Sequence, residues 1–177
     1  PAEHHRLARL EDEPGAAEQA AQMMASLPPD LPMFKASPPE LFPNAEFGNR
    51  PDILAADIPA GGKTSARAIA RMYAALLGEV DGVRLLTPER LAEATAISSR
   101  GTDEVFGQPT AWGLGFGIGG PAGDPQGAPT AFGLGGVGGS FACGDTATGL
   151  AWAVTKNRIS NDFSTSIQLG QLIAGPG

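Results

Sequence analysis

Cysteine is almost missing from this chain: Cys143 is the only one in 177 residues. An intrachain disulfide is therefore excluded, and the compartment is left open with only a lean toward the cytoplasm. The two histidines, His4 and His5, stand side by side near the start, with no Cys/His cluster to support them. They read as a solvated pair, so no metal and no cofactor are expected. No apolar run approaches the ~20 residues that a membrane-crossing helix needs, so no membrane-spanning segment is expected. Positive charge is short as well, with 12 basic against 19 acidic residues and a net charge of −7. That surface repels nucleic acid and anionic lipid, and no nucleic-acid partner is expected.

A complete catalytic set is also lacking. None of the nine serines has lysine three residues on, so there is no Ser-x-x-Lys. Gly138-Gly139-Ser140-Phe141-Ala142 lacks the second glycine of a nucleophile elbow, and no histidine follows to serve as base. Gly61-Gly62-Lys63-Thr64 suggests a phosphate loop, but Asp57 stands where that motif needs glycine and no apolar strand leads into it. Tyr73, the only tyrosine, lies on the apolar face of a helix and reads as packing. Cys143 closes the apolar run Ser140-Phe141-Ala142-Cys143 and reads as a buried structural thiol.

What is abundant is glycine, with 25 residues, and proline, with 16, in no periodic arrangement. Proline gathers between Leu27 and Pro59, and glycine between Gly113 and Gly149. A helix is predicted over 16–27, ended by Pro28-Pro29. An irregular excursion to Pro59 follows, pinned by Phe34, Leu41, Phe42 and Phe47, with a short helix at Pro38 to Phe42. A stretch of that length suggests the border of a site. An amphipathic helix runs from a Thr64 or Ser65 cap to Gly78, and a second begins at Thr87-Pro88-Glu89.

From Ala111 the period changes. Strands are predicted over 111–118, 132–143 and 149–155, with a turn at Asp145 to Gly149, and a helix over 163–174 closes the chain. The fold class is α+β: helices, a three-stranded antiparallel meander, then a covering helix. The expected division is a helical, site-bordering region over 1–110 and the meander with its helix over 111–177, both parts of one larger domain. In Leu134 to Gly139 the near-absence of side chains lets a ligand reach the backbone, whose N–H groups can face an oxyanion or an extended acyl group. Taken as chemistry alone, the same stretch also suits a strand that merely crosses under another element.

Leu134-Gly135-Gly136-Val137-Gly138-Gly139-Ser140 with Gly144-Asp145, followed by Gly149 to Asn157-Arg158, resembles the C-terminal signature of class C β-lactamase-like esterases. In that family a His-Gly-Gly, Trp-Gly-Gly or Lys-Thr-Gly triplet opens a strand, and the next strand ends in Asn-Arg or Asn-Lys. The run Ile58-Pro59-Ala60-Gly61-Gly62 with Thr64 to Leu77 resembles a further segment of such esterases, in the right order. The resemblance implies a β-lactamase/transpeptidase-like fold, an antiparallel sheet flanked by helices, of which this chain is the C-terminal part. It implies a serine acyl-enzyme mechanism on an ester or lactam carbonyl, with a small-molecule ester as the expected substrate and with Ser-x-x-Lys and Tyr-x-Asn motifs in a missing N-terminal half of the same hydrolase. Leu134-Gly135-Gly136 then takes the triplet's place against the substrate, and the Val137 N–H becomes an oxyanion donor.

Leu134 departs from the usual Lys, His or Trp, which argues against recognition of a carboxylate and for an apolar ester. A start at Pro1 fits a fragment or processed chain, silent in catalysis unless the other half is supplied. The alternative is a non-catalytic β-lactamase-like fragment or binding module acting through an exposed sheet edge.

Overall fold

A computed structural model describes residues 4–36, 44–56, 62–105, 107–160 and 162–174. In chain order the elements are β1 (Glu11–Asp12), α1 (Ala16–Ser26), α2 (Pro32–Ala36), α3 (Ala45–Gly48), α4 (Pro51–Ala55), α5 (Ala66–Leu77) and α6 (Pro88–Thr95). Then come β2 (Ser99–Thr102), β3 (Pro109–Trp112), β4 (Gly117–Ile118), β5 (Ala131–Gly136), β6 (Ser140–Asp145), β7 (Ala151–Val154), β8 (Arg158–Ile159) and α7 (Ser164–Ala174). Strands β2 to β7 form one antiparallel sheet in sequence order, and β1 pairs in parallel with β8. The architecture is the α+β one expected, with helices against an antiparallel sheet. The predicted helix at Pro38 to Phe42 lies outside the described residues.

Both predicted caps form. Ser65 Oγ accepts the Ala68 N–H at 3.2 Å, and Thr87 Oγ1 accepts the Arg90 N–H at 3.3 Å, each satisfying a donor that the first helical turn leaves without a partner. From those starts, α5 lays Ile69, Tyr73, Leu76 and Leu77 onto the sheet across β6 and β7, and α6 adds Leu91. The pleat sorts the strand residues by parity. Phe132, Ala142, Ala151 and Ala153 face this core, whereas Ala131, Phe141, Cys143, Trp152 and Val154 form a second cluster on the reverse. Phe132 is fully buried and meets Tyr73 and Phe116 at ring separations of 5.9 and 5.1 Å. Its burial stabilises the fold by roughly 2–3 kcal/mol. Gly144 makes room for it, since a Cβ there would lie 2.8 Å from Phe132 Cζ. On the reverse face Gly170 brings α7 against Pro121 and Trp152.

The sheet has six strands, not the three expected, and the glycines explain the difference. Residues 111–118 are two strands: Trp112 pairs with Gly117 around a turn in which Gly113 N–H donates to Phe116 O at 2.9 Å and Gly115 has φ +85°. Residues 132–143 are likewise a hairpin. Gly138 and Gly139 have φ of +97° and +76°, and the Gly139 N–H donates to Gly136 O at 3.2 Å. Glycine alternating with large apolar residues suggests a strand with one bare face, but several of these glycines supply left-handed turns. The sixth strand, β2, is wholly exposed and carries no alternation by which to find it.

Candidate active site

The β5–β6 hairpin carries all four predicted site residues. Leu134, Gly135 and Gly136 end β5, and Val137 begins the turn. All four are exposed, Leu134 by 51% and Val137 by 55%. The directions of their backbone groups follow from the register. Gly119 N–H donates to Ala131 O at 3.0 Å, and Thr146 N–H donates to Thr130 O at 3.1 Å. Since hydrogen-bonding direction alternates along a strand, the odd residues of β5 turn toward β4 and the even ones toward β6. β4, however, is spent at Gly117, opposite Gly133. The N–H and C=O of Gly135 therefore point to the side of β5 where the ladder has stopped.

Val137 follows from peptide geometry. The Gly136 carbonyl is turned inward to accept the Gly139 N–H at 3.2 Å. The peptide is trans, as are all those described, so the Val137 N–H points the opposite way, outward past the end of β4. An N–H and a neighbouring glycine edge thus share one open side of the sheet. A Cβ on Gly136 would find nothing within 4 Å, whereas one on Gly135 would lie 2.8 Å from Phe163 Cε1. The strand is bare on one face and backed by an aromatic ring on the other.

Behind the hairpin lies a polar cluster that sequence reasoning missed. Ser166, on α7 and fully buried, donates from Oγ to Gly139 O at 2.7 Å. The Lys156 N–H donates to Ser140 Oγ at 2.9 Å, and Lys156 Nζ donates to Ser160 Oγ and to Asp162 O, both at 3.2 Å. The Asp162 carboxylate accepts the N–H and O–H of Ser164 at 2.8 Å each, and these bonds, with Lys156 nearby, hold it below the usual carboxylate range. Lys156 with Ser160 has the composition of a nucleophile and its base. Ser160 is buried, and the ammonium already donates to a hydroxyl and a backbone carbonyl, which makes the pair a structural tie. No sequence pattern marks it, because the donors and acceptors meet only after the β7–α7 connection folds back under the turn.

The remaining candidates are inert. Tyr73 sits in the aromatic core, where burial raises its pKa above the ordinary phenol. Burial, with the Asp145 carboxylate adding to it, pushes the Cys143 thiol up to about 11. No group of metal-ligating side chains gathers among the described residues, and no described helix is long and apolar enough to cross a membrane. Asn157, from the sequence signature, straps the amino-terminal segment: its side-chain Nδ2 donates to Arg9 O at 3.2 Å and its backbone carbonyl accepts the Glu11 N–H at 2.9 Å.

Comparison with known proteins gives one consistent answer. The family described as Beta-lactamase matches residues 1–170. The "Esterase/beta-lactamase LipL" of Mycobacterium tuberculosis is 38% identical over 111 residues, 60% of this chain and 25% of LipL. A family VIII carboxylesterase superimposes with a TM-score of 0.68 at 28% identity, over 92% of this chain and 40% of the esterase. A penicillin-binding protein homologue from Caulobacter crescentus gives 0.50 at 36% identity, over 57% of this chain and 28% of its own. EstA from Arthrobacter nitroguajacolicus shares the fold, with a TM-score of 0.59 at 24% identity, over 98% of this chain and 48% of EstA. The chain thus spans between a quarter and about half the length of these relatives.

Proposed function

This chain belongs to the beta-lactamase family of serine hydrolases and esterases, and from that premise we propose that it supplies the oxyanion side of an ester-hydrolysing site. The nucleophile comes from the other part of the same hydrolase, in a Ser-x-x-Lys preceding Pro1. The serine oxygen bonds to the acyl carbon while its proton passes to the neighbouring base, and the carbonyl electron pair moves onto oxygen. The Val137 N–H donates to that developing oxyanion. Collapse releases the alcohol, which takes up the proton, and a water then repeats the sequence on the acyl-enzyme. Gly135 and Gly136 let the acyl group lie against the strand, and Leu134 offers it an apolar contact in place of a cation for a carboxylate.

The observation that carries this proposal is the outward turn of the Val137 N–H beyond the end of β4. A donor of that kind, preset on a held turn, costs little reorganisation when charge appears. The test is to read the coding sequence upstream of Pro1 for Ser-x-x-Lys and to assay the encoded hydrolase with p-nitrophenyl esters and a chromogenic cephalosporin. Turnover of short-chain esters is expected, and turnover of the cephalosporin alone would reverse the assignment. A binding module working through the sheet edge is favoured only by the full exposure of β2, and absence of Ser-x-x-Lys upstream would turn the choice toward it.

A further inference from the structure

We infer that Ser166 is the positioning residue of the oxyanion turn, a role that rests on the function proposed for Val137. Between Gly135 and Gly139 only Val137 has a side chain, so side-chain sterics barely constrain the backbone. Its conformation is set by hydrogen bonds. Gly139 stands at the centre of them: its N–H donates to Gly136 O at 3.2 Å, and its C=O accepts from Ser166 Oγ at 2.7 Å. The first bond turns the Gly136 carbonyl inward and so, through a trans peptide, the Val137 N–H outward. The second fixes the peptide that follows Gly139 at a residue with φ +76°, where glycine is freest to rotate. Ser166 reaches it from α7, twenty-seven residues away, and is fully buried, so its hydroxyl has no water to turn to.

The wall behind the turn supports the same geometry. A Cβ on Gly139 would strike the Asp162 carbonyl and would lie 2.9 Å from Lys156 Nζ. One on Gly138 would lie 3.5 Å from Arg158 O. These contacts limit where the turn can lie without fixing which way its peptides face. Ser166 fixes the peptide after Gly139, and the Gly139 N–H in turn holds the Gly136 carbonyl.

The experiment uses the encoded hydrolase with Ser166→Ala, Ser166→Thr and Leu91→Ala. Leu91 is buried in the core on α6, away from the turn, and controls for loss of stability alone. Ser166→Ala is expected to lower kcat about tenfold with KM unchanged, less than the hundredfold or more seen when an oxyanion donor is removed outright. It is also expected to speed amide exchange about tenfold across 136–140 and leave the other strands as they were. Ser166→Thr, which keeps the hydroxyl, restores both. Leu91→Ala lowers the melting temperature without either change.

Unaltered exchange at 136–140 in Ser166→Ala overturns the inference, as does a kcat loss no larger than the fall in folded fraction. If the unsubstituted hydrolase turns over no ester, the proposed function fails. The exchange measurement then decides the positioning role by itself.

Discussion

Two adjacent glycines should separate fold from rate. At Gly135 a Cβ would sit 2.8 Å from Phe163 Cε1 and 3.3 Å from Phe141 Cδ2, inside ordinary contact distance. Phe141 is buried, so its ring has little room to swing away. Gly135→Val therefore overpacks the reverse face, at a cost of roughly 1–3 kcal/mol. For a chain of this size that lowers Tm by about 3–10 °C. At Gly136 nothing lies within 4 Å, and φ there is not left-handed. Valine suits a strand, so Gly136→Val should leave Tm unchanged or slightly raised. Its branched side chain would instead occupy the space that the proposed function assigns to the acyl group. A displacement of about 1 Å costs on the order of 100-fold in rate, or about 2.7 kcal/mol in kcat/KM. Melting curves and p-nitrophenyl ester hydrolysis on both variants make the comparison. Equal loss of stability and rate in Gly136→Val, or full rate retained, would refute the reasoning.

Phe132→Ala empties the centre of the aromatic cluster and should destabilise by about 3–5 kcal/mol in denaturant titration, with an unchanged m-value. Cys143 should resist alkylation at pH 8 in the native protein and react only on unfolding, as thiol titration would show. Because its folded pKa is raised, from the ordinary 9.0 to about 11, its protonated form stabilises the fold fully below pH 9, and that contribution is lost as pH rises toward 11. Denaturation midpoints at pH 8 and pH 10.5 should therefore differ less in Cys143→Ala than in the unsubstituted chain. Burial raises the Tyr73 pKa and gives a residual loss of the same sign.

Where the sequence carried a period, structure was legible. The stripe Ile69, Tyr73, Leu76, Leu77 located α5, and Ser65 and Thr87 announced their caps because N-capping depends on side-chain chemistry that local sequence displays. Glycine was ambiguous. A missing side chain can mean a bare strand face, as at Gly136, a collision avoided, as at Gly144, or a left-handed turn, as at Gly139. Only the coordinates of neighbours separate these meanings. The hairpin's four exposed residues came from the family signature rather than from periodicity. Ser160 and Ser166 lie outside that signature, and since Ser166 meets a carbonyl, any small donor at that helical position would look the same in sequence.

The strap between Asn157 and Arg9 joins residues 148 apart. Together with the parallel pairing of Glu11 and Asp12 to Arg158 and Ile159, it gives the segment behind the β5–β6 turn partners from nearly the whole span of the chain. Contacts of such range form late, because the entropy of closing so large a loop must be met before they contribute. The β5–β6 hairpin, a local structure, can form early, before the amino-terminal segment pairs with β8. During synthesis that segment is made before all six strands of the sheet and stays without this partner until β8 follows them.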